Sequence, residues 1–322
     1  MVSAMKENKT DNQKYTEKYD LLIAGAGPAG MTAAIYGARA GLKLLLTEGQ
    51  FPGGKMVNTE TVENWPGTET ISGADLAGRM YSHCEALGIP LAFNPVGAIR
   101  QTADGFLVPL GPRTVLAATV IVATGTLDRL LDIPGEAEYK GRGISYCAVC
   151  DGAFFKDQPT VVIGGGNTAY EDALYLARFA SQVDLVLRRD TPRADQANIR
   201  AVKENPAITV HYNLTPVAFR GDGNRLTDVI FRVSDGAAER SFKAAGAFPR
   251  VGLLPNVAPV SDFAIFDEDG FILTDEQRAT AVPGLFAAGD VRHTPLRQIV
   301  TAAADGSIAI QSTLRYLESQ RR

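Results

Sequence analysis

The apolar positions of this chain fall into short runs that end at glycine clusters. Leu21 to Ala24 is apolar throughout and leads straight into Gly25-Ala26-Gly27-Pro28-Ala29-Gly30. A helix-compatible stretch follows from Met31 to Ala40, and a second apolar run from Leu42 to Leu46 ends at Glu48. The order strand, glycine turn, helix, strand predicts the opening of a doubly wound parallel sheet. The same order returns later. Thr160 to Ile163 predicts a strand, Gly164-Gly165-Gly166-Asn167-Thr168-Ala169 a turn, Tyr170 to Ala180 a helix, and Val183 to Leu187 the next strand. Two further runs, Thr119 to Gly125 and Gly284 to Asp290, read as buried strands that end in turns. Pro, Gly and charge gather near Asp128–Pro134 and Arg250–Ala258, which predicts a crossover and a return there.

The two glycine turns differ in chemistry. The first is a complete G-x-G-x-x-G between a strand and a helix. Its glycines let backbone N–H groups approach a pyrophosphate at the positive helix end. Gly25, Gly27, Pro28, Ala29 and Gly30 are the candidate contacts, and Glu48 closes the next strand, where a carboxylate can accept ribose hydroxyls. The second turn reads G-x-G-x-x-A, with Gly164, Gly166, Asn167 and Thr168 as candidate contacts. Where the first unit carries an acid, the second carries Leu187-Arg188-Arg189-Asp190, with Arg193 just beyond. Guanidinium groups pair with a 2′-phosphate that a carboxylate would repel. The first unit is therefore expected to take a dinucleotide with a free ribose and the second to prefer NADPH. Read without that ligand, the arginines are a solvated face.

Composition narrows the class. Of 322 residues 45% are hydrophobic, enough for one large core or two smaller ones, and the net charge of -4 gives no reason to expect nucleic acid or an anionic membrane. No apolar run is long enough to span a bilayer, and residues 1–18 are polar and lysine-rich, which predicts a disordered leader. The three cysteines are Cys84, Cys147 and Cys150, too few for a secreted disulfide framework, so a cytoplasmic protein is expected. Cys147-Ala148-Val149-Cys150 is redox-active or half of a metal site. A tetrahedral zinc site needs about four ligands, and only Cys84, His83, His211 and His293 remain, without a second C-x-x-C or paired histidines; no metal is expected. Asp151 adjoins the pair and can supply the proton when a thiolate leaves. Cys84 falls in an apparent helix, Met80 to Leu87, and reads as a buried thiol, with His83 at the surface.

Gly25–Gly30, Val62-Glu63-Asn64-Trp65-Pro66-Gly67, Ala123-Thr124-Gly125, Cys147–Asp151, Gly164–Ala177 and Gly289-Asp290-Val291 together resemble the low-molecular-weight thioredoxin reductases. The resemblance runs in order from about Tyr19 to the C-terminus, and C-x-x-C-D before a second glycine turn is its most specific element. It implies an α/β fold of two Rossmann-like dinucleotide-binding domains, the second inserted into the first: residues 19–128 and 255–322 for FAD, and 129–254 for NADPH and the dithiol. It implies a homodimer that reduces thioredoxin. Cys150 would lie nearest the flavin, Cys147 would attack the protein disulfide, and Asp151 would be the acid–base group. Gly54, Asn64, the Ala123-Thr124-Gly125 turn, Gly289, Asp290, Arg297 and Gln298 would contact FAD. Three departures stand out: Leu187 replaces the usual histidine before the arginines, Lys55 the usual glutamine, and Pro249 interrupts a segment usually apolar throughout. Some relatives take electrons from ferredoxin or act as small-molecule dithiol oxidases without NADPH, which is the alternative reading.

Overall fold

A computed structural model describes residues 15–59, 62–233, 236 and 238–320. Most of the expected leader lies outside those residues. The part inside them corrects the expectation, because Thr16 to Lys18 is attached to the body. Thr16 N–H donates to Thr114 O at 2.9 Å, Leu116 N–H donates to Glu17 O at 2.9 Å, and Lys18 opens the first strand.

In chain order the first part holds β1 (Lys18–Ala24), α1 (Pro28–Arg39), β2 (Leu44–Thr47), α2 (Gly73–Ala86), β3 (Leu91–Ala92), β4 (Arg100–Thr102), β5 (Gly105–Leu110), β6 (Arg113–Val122) and β7 (Thr126–Asp128). Strands β3, β2, β1 and β6 lie side by side in parallel, and β4 and β5 extend the sheet antiparallel beyond β6. Residues alternate between the two faces of a strand. Leu21 and Ile23 of β1 therefore join Met31, Ala33 and Ala34 of α1 in one core, while Leu22 and Ala24 face a second core with Val108, Val120 and Val122.

The middle of the chain holds two four-residue helices, α3 (Glu136–Tyr139) and α4 (Ala148–Asp151), then β8 (Pro159–Ile163), α5 (Asn167–Leu176), β9 (Gln182–Val186), α6 (Gln196–Glu204) and β10 (Ile208–His211). Strands β11 (Leu214–Gly221), β12 (Leu226–Val233) and β13 (Glu239–Lys243) follow, then β14 (Gly246–Pro249) and β15 (Leu253–Pro255). The order β10-β9-β8-β14 makes a second parallel sheet. One face packs Val162, Val183 and Leu185 against Ala169 and Ala173 of α5. The other packs Val161, Ile163 and Val186 against the antiparallel β11-β12-β13 layer through Phe219, Val229 and Phe231. Pro249 is the last residue of β14, which pairs with β8 along its length and bridges Ile144 through Ala247 on its other side, so the proline sits at the strand end, where a missing N–H is tolerated.

Strands β7 and β15 pair antiparallel, with Leu254 opposite Leu127, and form a two-stranded ribbon where the sequence placed its crossover and return. The chain then comes back as β16 (Leu285–Ala287), parallel to β6, and α7 (Ile299–Gln320), which packs along α1 through Ala302, Ala309 and Ile310. The expected strand at 284–290 is thus shorter than its apolar run. The buried run at 119–125 ends at Val122 but begins earlier, at Arg113. Helix α5 opens three residues before its predicted start and closes at Leu176. No helix among the described residues is long and apolar enough to cross a membrane.

Candidate active site

The first glycine turn joins β1 to α1. Gly25 has φ +107°, and a Cβ there would lie 2.4 Å from Ala123 O; one on Gly30 would lie 1.8 Å from Gly25 O. The turn therefore presses against the Ala123–Thr124 backbone and folds back on itself, which only glycine permits at both positions. Pro28 takes the first helical position, and no side chain caps the helix and no acid sits in its first turn. Its N-terminal N–H groups stay available to a ligand anion. Glu48, closing β2, accepts Ala26 N–H at 2.9 Å on one oxygen and Gln50 N–H at 3.0 Å on the other. The predicted ribose ligand thus also ties the turn to the strand end, a role that spacing alone did not show.

Four more segments gather at the same sheet edge. The 3-10 turn Gly54–Asn58 leans on the glycine turn: Gly53 N–H donates to Ala26 O at 2.7 Å, and a Cβ on Gly54 would lie 3.3 Å from the Gly27 Cα. Thr124 Oγ1–H donates to Asn256 O at 2.6 Å, and Asn256 N–H to Gly125 O at 2.9 Å. Gly289 has φ +79°, and its N–H donates to buried Asp305 at 3.1 Å. The same carboxylate accepts Arg278 Nε at 2.7 Å and is paired with Arg292, an α7 fastener that the motifs did not reveal. Asp290 follows; burial raises its carboxyl above the usual range, while Arg297 and then Lys55 pull it down. Asn64 Nδ2–H donates to Gln298 Oε1 at 3.2 Å, joining two residues predicted separately. Arg297 stacks 4.0 Å from the centroid of Phe271, and its buried Nε has no partner among the described residues. An uncapped helix end, a glycine-rich turn without polar side chains and an orphaned guanidinium N–H fit a bound dinucleotide such as FAD.

The second turn joins β8 to α5. A Cβ on Gly164 would lie 2.3 Å from Arg250 O, whereas one on Gly166 would meet open space. Asn167 exchanges two hydrogen bonds with Asp195, Nδ2–H to Oδ2 at 2.8 Å and Asp195 N–H to Oδ1 at 2.6 Å. Thr168 lies in the first turn of α5. Leu187 is buried beneath the turn, its side chain 3.1 Å from where a Gly165 Cβ would be. Arg188, Arg189 and Arg193 are exposed at the end of β9, and no carboxylate pairs with them among the described residues.

Cys147 and Cys150 are joined in a disulfide with Cα atoms 5.3 Å apart. Cys147 heads α4, its sulfur accepting Cys150 N–H at 3.1 Å, and Cys150 is exposed, its Sγ 3.4 Å from Asn58 Oδ1. The dithiol helix therefore sits against the turn that leans on the first glycine motif. Asp151 Oδ2 accepts the Ser145 hydroxyl at 2.6 Å. A line of charges runs behind: Lys55 to Asp128 at 3.0 Å, Arg250 to Asp128 at 3.8 Å, Arg250 to Asp172, and Arg250 Nη1–H to Tyr146 O at 2.6 Å. Neither Ser145 nor Arg250 was named from the sequence as a site residue; a serine two positions before the first cysteine of C-x-x-C-D was the available signal. Cys84 is buried, and burial pushes its thiol up to about 11, which keeps it protonated and inert.

Comparison with known proteins agrees with this geometry. The family model described as pyridine nucleotide-disulphide oxidoreductase matches residues 19–306. The thioredoxin reductase of Bacillus subtilis (strain 168) is 44% identical over 303 residues, covering 93% of this chain and 95% of that one. The crystal structure of Lactococcus lactis thioredoxin reductase in its FR conformation superposes with a TM-score of 0.91 at 42% identity, over 94% of this chain and 99% of that one. The crystal structure of T. acidophilum thioredoxin reductase superposes with a TM-score of 0.88 at 32% identity, over 94% of this chain and 99% of that one.

Proposed function

This chain belongs to the pyridine nucleotide-disulphide oxidoreductases and, within them, to the low-molecular-weight thioredoxin reductases, and we propose that it passes electrons from NADPH through FAD and the Cys147–Cys150 pair to thioredoxin. The observation that carries the reading is the disulfide itself, seated with Asp151 against the turn that leans on the first glycine motif. We infer an FAD domain of residues 19–128 and 255–322 and an NADPH domain of residues 129–254. In support, each part has its own parallel sheet and cores, and the β7–β15 ribbon brings the two crossings together. Family membership is likewise the ground for inferring a homodimer at work in the cytoplasm.

FAD, when bound, supplies two-electron exchange between a nicotinamide and a disulfide. On this reading Gly25, Gly27, Pro28, Ala29 and Gly30 present backbone donors to its pyrophosphate, and Glu48 accepts from a ribose. Gly54, Asn64, Ala123, Thr124, Gly125, Gly289, Asp290, Arg297 and Gln298 line the remainder. Gly164, Gly166, Asn167 and Thr168 hold the NADPH pyrophosphate, and Arg188, Arg189 and Arg193 its 2′-phosphate. Once the pair is reduced, the Cys147 thiolate attacks one sulfur of the protein disulfide and displaces the other as a thiolate. Cys150 gives its proton to Asp151 and attacks Cys147 Sγ. The Cys147–Cys150 bond forms, the substrate sulfur leaves with the electron pair, and Asp151 returns the proton to it.

An anaerobic titration of the yellow protein with NADPH tests this. Bleaching of the flavin band, reversed by oxidised thioredoxin, is the expected result. Bleaching by dithiothreitol but by neither NADPH nor NADH would keep the dithiol chemistry and give the protein a different electron donor, such as ferredoxin. Cys147→Ser should retain flavin and lose disulfide turnover; full turnover in that variant would remove the assignment of the attacking sulfur.

A further inference from the structure

Ser145 is buried and sits at a junction between backbone and acid. Its N–H donates to Ala247 O at 3.0 Å, which fixes it to β14. Its hydroxyl oxygen accepts Cys147 N–H at 3.0 Å. Its single proton has two acceptors within reach, Asp151 Oδ2 at 2.6 Å and Cys147 O at 3.2 Å. A hydroxyl offers one donor and two lone pairs, so one of these acceptors goes without at any moment.

That arrangement matches what a proton carrier needs. While Asp151 is a carboxylate, the Ser145 proton points to it in a short charge-assisted bond. When Asp151 holds a proton, its O–H can donate to the second Ser145 lone pair, and the serine proton turns to Cys147 O. Both protonation states are then satisfied without moving a heavy atom. A buried carboxyl group without such a partner would favour one state and resist the change.

We propose that Ser145 is the positioning residue for proton transfer at the dithiol: it holds the Asp151 carboxyl group beside Cys147 and Cys150 and reverses its hydrogen bond as Asp151 gains and loses the proton. The proposal rests on Asp151 being the acid–base group. In each turn the proton leaves the Cys150 thiol for Asp151 and then passes to the departing substrate sulfur, so Asp151 visits both states and ends as it began.

The groups carried by the elements packed against α4 are already engaged. Lys55 on the Gly54–Asn58 turn pairs with Asp128. On α5, Asp172 pairs with Arg250, Glu171 accepts from Asn198, and Tyr175 O–H donates to Val149 O. Burial pushes Tyr170 up to about 12, so it stays neutral over the working range.

The test uses the flavin-loaded enzyme with oxidised thioredoxin, comparing Ser145→Ala, Ser145→Thr, Ser145→Val and Asp151→Asn. For Ser145→Ala, flavin reduction by NADPH should be unchanged while thioredoxin turnover falls about tenfold, the scale of one lost hydrogen bond to a charged group. The loss should fall on kcat, with the KM for thioredoxin little changed, because Ser145 acts on Asp151 rather than on the substrate. Ser145→Thr should restore turnover, and Ser145→Val, isosteric with it, should not; that pair decides the matter if Ser145→Ala folds poorly. Wild-type turnover in both hydroxyl-free variants, with Asp151→Asn impaired, would overturn the role of Ser145 alone. Full turnover in Asp151→Asn would overturn the assignment of Asp151 and the inference with it.

Discussion

The two glycine turns share one local grammar but solve the end of the second strand in opposite ways. In the first, Glu48 is drawn inward, with both carboxylate oxygens accepting backbone N–H groups at 2.9 and 3.0 Å. In the second, apolar Leu187 goes inward under the turn, and Arg188, Arg189 and Arg193 stay outside. Asn167 and Asp195 do the fastening there through two hydrogen bonds. The turns also differ in tightness: Gly30 lies where no methyl fits, and its counterpart Ala169 is a fully buried alanine. A turn whose polar strand-end residue serves the fold is constrained by stability. One whose charges serve only the ligand can be altered with little effect on the fold.

The sharpest way to break this contrast is Gly30→Ala. A methyl 1.8 Å from Gly25 O must displace backbone, at the upper end of the roughly 1–3 kcal/mol range of overpacking or beyond it. Colourless protein with a lowered Tm is expected, and a yellow, fully stable variant would show that the first turn is no tighter than the second. Glu48→Ala comes next. It strips two backbone donors of a charged acceptor, at about 1.5–3 kcal/mol for such bonds, and should lower both Tm and the affinity for FAD in reconstitution. Arg188→Ala with Arg189→Ala should raise the KM for NADPH about tenfold or more and leave that for NADH little changed. Its stability should stay within about 0.5 kcal/mol of wild type, as for exposed sites. An unchanged NADPH requirement would return the arginines to a solvated face. The smallest effect belongs to Ala169→Gly, about 1 kcal/mol by helix propensity, with both cofactors still bound.

Much of the frame was legible because it follows from periodicity. Leu21 to Ala24 and Thr160 to Ile163 are apolar on both faces, and both became central parallel strands. The antiparallel pieces were not read: β4 and β5, and the β11-β12-β13 layer. In β4 and the three-stranded layer exposed or half-buried positions replace or break up buried ones, as in Glu239–Lys243, where every residue is exposed or only partly buried and no apolar run announces a strand. The apolar run of β5 is short, Phe106 to Val108 between Gly105 and Pro109. Helix α5 was read as starting at Tyr170 because the turn motif was assigned to loop, whereas Asn167 and Thr168 already belong to it. At the site, C-x-x-C-D and the glycines were plain. Asn58, Arg250 and Asp305 were not, since each acts on residues from other segments, and Ser145 was not because only the fold turns its hydroxyl to Asp151.

What the sequence determined by itself is the chemistry that adjacency carries: two glycine-rich turns, a dithiol three residues apart, an acid beside it, and arginines where a second acid would stand. Local geometry follows from local residues, so these survive in any reading of the chain. Only the tertiary structure decided what those groups meet. Asn58 approaches Cys150 across 92 residues, Asn64 reaches Gln298 across 234, and Arg250 meets Asp172 across 78. Such contacts arise because parallel sheets bring strand ends distant in sequence to one edge. Which side chain fills the space there is set by packing and charge among all of them.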